Sequence, residues 1–250
     1  MNILLYLEYD GTQFHGYQRQ KEMRTVQGEL EKALRALLKE EVSVSGSSRT
    51  DAGVHARLYP VSFRTKTTIP PHKIAVALNQ HLPEDLKAQA SVLVPEDFDA
   101  RFHARGKTYS YRFLRRHQPS PLFRNYAYLV RQELDLLKMR EAAEAFIGTH
   151  DFTGFRSVGS SDPNPVKEMR EILIVEEGEF LVLYITASGF LYNMARIMAG
   201  TLLDASLGRI TKDEIQLILA TGVRGKSMVL PPWGLYLEKV YYEIQEAEVE

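Results

Sequence analysis

The order of strand-like and helix-like segments in the first 95 residues limits the possible folds most strongly. Residues 3–9 form an apolar run typical of a buried strand, and residues 26–38 carry Val and Leu at the spacing of one helical face. Two short segments of alternating polarity follow, then a helix that Pro70 and Pro71 begin, then a strand over residues 88–94. The resulting order, β-α-β-β-α-β, is that of a ferredoxin-like domain.

The rest of the chain repeats this order of segments. In sequence, these are a strand over residues 107–113, a helix over 135–147, a hairpin of 172–175 and 180–186, a long helix over 190–207, an additional helix that Thr211 begins, and a closing strand over 235–242. We therefore predict an α+β fold in which two ferredoxin-like (βαββαβ) halves, residues 1–100 and 101–250, join into one mostly antiparallel sheet. Helices would cover one face of that sheet, and a basic cleft would lie on the other.

The composition excludes several classes of site. The chain has 250 residues and no cysteine, so disulfides, thiolate metal centres and cysteine nucleophiles are impossible. Its seven histidines lack the close spacing of metal ligands, and we expect no metal. The apolar start ends at Glu8 without a basic segment or cleavage-like site, and no apolar run approaches the roughly 20 residues of a membrane helix. These features predict a cytoplasmic protein with no signal peptide and no membrane segment.

Positive charge is concentrated in one part of the chain although the formal net charge is −1. Residues 101–131 hold eight Lys or Arg and no Asp or Glu, and the loop after the first strand adds Arg19 and Arg24. Because phosphate binding depends on where the positive charges lie, this distribution is compatible with an RNA-binding surface.

A polar loop over residues 47–56 lies between the second and third predicted strands. Loops held by strands often carry catalytic groups, and Arg49 could keep the carboxylate of Asp51 ionised by its charge and by hydrogen bonding. The alternative is a tight turn in which Asp51 and Gly53 supply the turn geometry and Arg49 is solvated. The local residues alone favour the turn.

An aromatic row lies on the strand that begins the second half. Tyr109, Tyr111 and Phe113 are spaced by two residues, so a strand would place them on one face together with Arg105 and Lys107. Core packing is the default explanation of such a row, and stacking on RNA bases is the functional one.

Seven short motifs occur in the order in which they are found in the tRNA pseudouridine synthase A family, which this chain resembles along nearly its whole length. The motifs are Asp10-Gly11-Thr12 with Phe14, Gly16, Gln18 and Gln20; Arg49-Thr50-Asp51-Ala52-Gly53-Val54-His55; Ala77-Leu78-Asn79; Phe102-His103-Ala104 with Lys107-Thr108-Tyr109; His150-Asp151-Phe152; Phe190-Leu191-Tyr192-Asn193-Met194-Ala195-Arg196; and Pro231-Pro232-Trp233-Gly234-Leu235-Tyr236-Leu237. The departures, Ser47-Ser48 for a frequent Ala-Gly and Ala195 for a frequent Val, touch no proposed catalytic atom.

The resemblance implies an isomerase that converts uridine to pseudouridine at positions 38, 39 and 40 of the tRNA anticodon arm. It implies that the enzyme is a cofactor-free cytoplasmic homodimer. Asp51 would be the catalytic carboxylate, and Arg49 and Arg196 would act with it. Arg196 would pair with Asp51 across the two halves. Tyr109 would stack on the target base. We further expect RNA contacts from the remaining candidate residues: Arg105, Lys107, Arg19, Arg24 and His55, although a structural hydrogen bond is the stronger interpretation of the last.

An aspartate of ordinary acidity is a carboxylate at neutral pH and needs no base to activate it. Whether Asp51 attacks C1′, attacks C6 or abstracts a sugar proton stays open at this stage. Two other functions also remain. A non-catalytic RNA-binding module would use the aromatic strands but has no need of Arg49, Asp51 and Arg196, and a nucleoside glycosylase or hydrolase would release uracil.

Overall fold

The computed structural model describes residues 1–159 and 162–243. Ten strands lie in the described residues: β1 Asn2–Tyr9, β2 Val44–Gly46, β3 His55–Arg64, β4 Leu86–Val94, β5 Ala104–Arg115, β6 Tyr128–Val130, β7 Gly148–Asp151, β8 Val166–Glu177, β9 Phe180–Ala187 and β10 Leu235–Tyr242. The α-helices of the same residues are α1 Val26–Leu38, α2 Ile74–Leu78, α3 Leu136–Glu144, α4 Met194–Ser206 and α5 Lys212–Thr221. The predicted α+β class is confirmed.

The chain divides into two compact units, of which the first contains residues 1–105 and the end of the chain from Tyr236. In this unit β1 pairs antiparallel with both β3 and β4, and β2 pairs antiparallel with the other edge of β3. The order β4-β1-β3-β2 is the ferredoxin-like arrangement that the sequence predicts. The closing strand β10, which the sequence analysis assigns to the second half, pairs parallel with the start of β3 in this unit.

Helix α1 shows how local sequence begins and ends an element of this unit. The hydroxyl of Thr25 accepts a hydrogen bond from the backbone N–H of Gly28, which satisfies one of the donors left open in the first turn. The helix ends at Lys39, whose φ of 58° is in the left-handed region. Val26, Leu30 and Leu34 are buried, as the predicted apolar face requires.

The second unit spans residues 106–235. Its strands β5, β9, β8 and β7 pair antiparallel in that order, and β6 pairs parallel with β5. The prediction lacked β6 and β7 and began β8 six residues late. These stretches are short or polar and lack a regular alternation, so only their partner strands identify them as strands.

The long helix predicted over residues 190–207 begins later, at Met194. Asn193 precedes it with a φ of 60°, in the left-handed region, which interrupts the helical path of the chain. The additional helix, α5, is confirmed by a complete capping box, because Thr211 and Glu214 each accept a hydrogen bond from the other's backbone N–H. Among the described residues, no helix combines the length and apolar character needed to cross a membrane.

Candidate active site

The candidate catalytic loop connects β2 to β3 in the first unit. Its start is tied to β3 by the Ser47 N–H, which donates to the carbonyl of Pro60 at 3.0 Å. The N–H of Val54 donates to the carbonyl of Asp51 at 3.2 Å, which closes a tight turn, and Gly53 has a φ of 79° within it. Asp51 is half-buried at the start of this turn, and Arg49 is exposed. The turn geometry expected from the local residues is therefore present, and it carries the carboxylate.

Two tyrosine hydroxyls hold the residues that lead to Asp51. Tyr59 of β3 donates to the carbonyl of Ser48, and its oxygen lies 3.3 Å from the N–H of the same residue. Tyr9 of β1 shares a 2.9 Å hydrogen bond with the hydroxyl of Thr50. A tyrosine buried in a core needs a partner for its hydroxyl, and here the partners are loop atoms. The position of Asp51 is thus set by the core of the first unit.

Tyr9 and Tyr59 are not among the site residues that the sequence predicts. Their rings are 5.7 Å apart, and Tyr17 stacks on the second of them at 4.5 Å. The one sequence signal was a tyrosine hydroxyl within each of two strands that contain mostly apolar residues.

The backbone of the segment after β1 packs directly against the backbone of the catalytic loop. Tyr17 N–H donates to the carbonyl of Thr50 at 3.1 Å, and Gly53 N–H donates to the carbonyl of Phe14 at 3.3 Å. Gly16 has a φ of 85°, and a Cβ there would lie 2.5 Å from the carbonyl oxygen of Thr50. This close approach explains why a glycine-containing motif accompanies the Asp51 motif.

We expect Gly16→Ala to destabilise the protein more than Gly178→Ala does. Gly178 also has a positive φ, 61°, but no described atom would lie within 4 Å of its Cβ. The control therefore carries only the backbone cost of about 1–2 kcal/mol. The Gly16 variant should lose about 1–3 kcal/mol more because its methyl group meets backbone atoms. Urea unfolding measures both, and equal losses would show that the loop yields without cost.

The imidazole of His55 is enclosed at the end of the loop. Its side chain is 3% exposed, its Nδ1 accepts from the Gly11 N–H at 3.0 Å, and its ring stacks on Tyr236 at 4.6 Å. Asp10 Oδ1 lies 3.2 Å from the same nitrogen. These surroundings support the structural interpretation of this histidine, because the ring holds the segment after β1 against β3.

The predicted RNA-contacting arginines of the first unit all pair with carboxylates. Arg24 forms two 2.7 Å bonds with Asp85 and lies 4.2 Å above the ring centre of Phe14. The hydrogen bond with Asp85 raises the pKa of Arg24 above its usual value. Arg24 therefore has a structural role, because it links the segment after β1 to Asp85.

The other two arginines each form an ion pair with one carboxylate. Arg19 Nη1 lies 2.9 Å from Glu31, and Arg105 Nε lies 3.2 Å from Glu243. More than half of each arginine side chain is exposed. Glu243 is also mostly exposed, and exposed pairs of this kind contribute about 0–1 kcal/mol, so a phosphate can replace this carboxylate on Arg105 at little cost. Glu31 is only 10% exposed, so the pair with Arg19 is not of this exposed kind.

The aromatic row of β5 is buried in the second unit. Tyr111 and Phe113 have no exposed surface, as core residues require, and the Tyr111 hydroxyl donates to the carbonyl of Pro231 at 2.9 Å. Tyr109 is 6% exposed, and its ring packs edge-to-face with Phe190 at 4.9 Å. Lys107 is half-buried on the same strand.

Arg196 lies in the first turn of α4, where two acceptors orient its planar group. Its Nε donates to the carbonyl of Leu230 at 2.6 Å, and its Nη1 donates to Asn193 Oδ1 at 2.7 Å. Asn193 in turn donates to the Ser157 hydroxyl at 2.9 Å. Burial raises the pKa of the Tyr111 phenol, and the positive charge of Arg196 opposes that rise, so the guanidinium is within electrostatic range of β5. The second unit thus brings a fixed cation near the aromatic strand.

No group of three or more His, Asp or Glu side chains that could hold a metal ion occurs in residues 1–159 and 162–243. The first unit contributes an anchored carboxylate and surface arginines, and the second unit contributes an oriented arginine and an enclosed tyrosine.

The comparison with known proteins decides the family. A family model described as tRNA pseudouridine synthase matches residues 6–103 and 142–243. The chain belongs to this family. Its Asp51 loop and the segment after β1 lie in the first matched range, and Arg196 lies in the second.

Curated relatives agree with the family over nearly the full chain. A tRNA pseudouridine synthase A of Clostridium acetobutylicum is 46% identical over 242 residues, which are 96% of this chain and 99% of the relative. One from Caldicellulosiruptor bescii is 45% identical with the same coverage of both chains. A solved Cbf5-Nop10-Gar1 complex aligns with 95% of this chain and 59% of its own chain at 13% identity, with a TM-score of 0.37.

Proposed function

We propose that this protein isomerises uridine to pseudouridine in the anticodon arm of tRNA, at positions 38, 39 and 40, with Asp51 as the nucleophile. The observation that carries the proposal is the anchored loop. The tyrosine hydroxyls hold the residues before Asp51, and the turn leaves its carboxylate half-buried in a family that makes pseudouridine. A carboxylate whose backbone is fixed in advance needs little reorganisation when the reaction begins.

The reaction exchanges one bond to the ribose for another. The bond from N1 of uracil to C1′ breaks, the base turns, C5 bonds to C1′, N1 gains a proton and C5 loses one. Breaking the first bond develops positive charge at C1′, which a carboxylate stabilises or captures. No external oxidant, reductant or group donor is needed for this balance.

The remaining residues of the proposal bind and orient the RNA. Tyr109 stacks on the target base once that base has left its helix, and stacking of this kind offsets the cost of a few kcal/mol for unstacking. Arg196 supplies a fixed positive charge to the same reaction. Arg19, Arg105 and Lys107 bind phosphates. By resemblance, we propose that the enzyme works as a homodimer in the cytoplasm.

Incubation of the purified protein with an unmodified tRNA transcript tests the function directly. Carbodiimide labelling and primer extension locate pseudouridine, and chromatography measures free uracil. We expect pseudouridine at positions 38, 39 or 40 and no free uracil. Released uracil would instead support a glycosylase, and tight binding without conversion would support an RNA-binding module.

Phosphate contacts along β5 can be tested through the salt dependence of tRNA binding. Alternation places Arg105 and Lys107 on the side of the strand that carries Tyr109, whereas Arg112 lies on the other side. We expect Arg105→Ala and Lys107→Ala each to lower the magnitude of the slope of log K against log salt by about 0.7–0.9.

Arg112→Ala is the matched control and should keep the wild-type slope. Affinities of the three variants are measured across the same series of salt concentrations. If all three retain the wild-type slope, β5 does not contact phosphates and its charge belongs to a solvated surface.

A further inference from the structure

Phe102 is the most exposed phenylalanine side chain of the first unit, with 74% of its surface accessible. Single exposed apolar residues are common on protein surfaces, so exposure alone carries no functional meaning. What distinguishes this residue is the rigidity of the turn that displays it. The turn, residues 98–103, lies between β4 and β5 and is part of neither strand.

The carboxylate of Asp99 organises the tip of this turn. Its Oδ1 accepts from the backbone N–H groups of Arg101 and Phe102 at 2.8 and 3.1 Å, and from the Ser45 hydroxyl at 3.0 Å. The N–H of His103 donates to the Asp99 carbonyl at 3.1 Å. Because these bonds hold the backbone on both sides of Phe102, the point on the surface from which its side chain projects is fixed before any ligand binds.

The base of the turn is held equally firmly. The Ala100 N–H donates to the Ser62 hydroxyl at 2.9 Å, and the Ala100 carbonyl accepts from the Tyr242 hydroxyl at 2.7 Å. Beneath it, the buried ring of Phe98 packs 5.2 Å from the Tyr242 ring. A side chain presented by a pre-organised turn loses less entropy on binding than one on a loose loop.

One arginine lies beside the exposed ring. The guanidinium carbon of Arg101 lies 5.5 Å from the ring centre of Phe102, within the range of a cation–π contact. Arg105 follows three residues later in a surface ion pair, and Oδ1 of Asp99 accepts from the three donors of the turn. An aromatic face beside an arginine matches single-stranded nucleic acid, which offers a base to stack and a phosphate next to it.

We propose that Phe102 stacks on an unpaired base of the tRNA outside the reacting uridine, while Arg101 contacts the adjacent phosphate. This inference rests on the proposed function, because it takes tRNA as the substrate. The turn is a different segment of the chain from the Asp51 loop and from Tyr109. In this proposal it contributes to substrate binding without touching the reacting atoms.

Three substitutions at one position separate stacking from other contacts. We expect Phe102→Ala to weaken binding of an unmodified tRNA transcript by about 5- to 150-fold, the range of one base–aromatic stack. Phe102→Trp should bind like the wild type. Phe102→Leu should bind as weakly as the alanine variant, since leucine keeps apolar surface but has no aromatic face. All three variants should retain the wild-type salt slope, because no phosphate contact is removed.

Val76→Ala is the matched control, because Val76 is 72% exposed on α2 of the same unit. The proposal is overturned if Phe102→Ala binds tRNA as this control does. It is also overturned if leucine restores binding, which would indicate a merely apolar contact, or if Phe102→Ala changes the oligomeric state, which would place the ring between copies of the chain. The binding measurements stand apart from turnover: a wild-type protein that binds tRNA through Phe102 but forms no pseudouridine refutes the proposed function alone.

Discussion

Asp51→Asn should abolish pseudouridine formation while tRNA binding is retained. The amide has the shape of the carboxylate but lacks the anionic oxygen, and the loop is held by backbone and tyrosine contacts that do not involve this side chain. Loss of a nucleophile of this kind lowers kcat by about four orders of magnitude or more. Single-turnover assays with an unmodified tRNA transcript measure the loss, and filter binding measures the affinity.

Asp97→Asn is the control for this experiment, since Asp97 is an exposed aspartate in the same unit. It should keep both activity and affinity. Turnover of Asp51→Asn near the wild-type rate would contradict the nucleophilic role. A parallel loss of binding would place the carboxylate in RNA recognition instead of chemistry.

Arg196→Lys is expected to lower kcat by about 10²- to 10³-fold, the usual cost of removing one oriented donor from a reacting centre. Lysine keeps the positive charge but lacks the planar fork that bonds Leu230 and Asn193. Since the charge is retained, tRNA affinity should change little.

Arg209→Lys provides the comparison, because Arg209 pairs with Asp204 of α4 at 3.3 Å and is 59% exposed. This control should show the wild-type kcat. Thermal unfolding of both variants separates a catalytic loss from a folding defect. An Arg196→Lys protein with normal kcat would show that only the charge at this position is needed.

Much of the first unit could be predicted from the sequence because its signals are local. The apolar run of β1, the face of α1 with its Thr25 cap, and the prolines before α2 each depend on neighbouring residues. Their order leads directly to the ferredoxin-like arrangement. The Asp51 motif is also readable, because its resemblance to a family is a property of adjacent residues.

The contacts that hold the residues around Asp51 depend on tertiary structure and could not be predicted from the sequence. Tyr9 and Thr50 are 41 positions apart, and the hydrogen bond between them exists because β1 and β3 pair in one particular register. The same holds for His55, which is enclosed because Gly11 and Tyr236 reach it from distant parts of the chain.

The second unit differs from its prediction for the same reason. α4 begins at Met194 because Asn193 adopts a left-handed conformation, in which its side chain bonds both Ser157 and Arg196. β10 comes directly after the second unit along the chain, but it pairs with β3 of the first unit. Local patterns determine most of the segments that form strands and helices, whereas β6 and β7 are recognisable only by their partner strands. Long-range pairing and burial determine where those segments go, and the backbone groups of a strand carry no information about their partner until the chain folds.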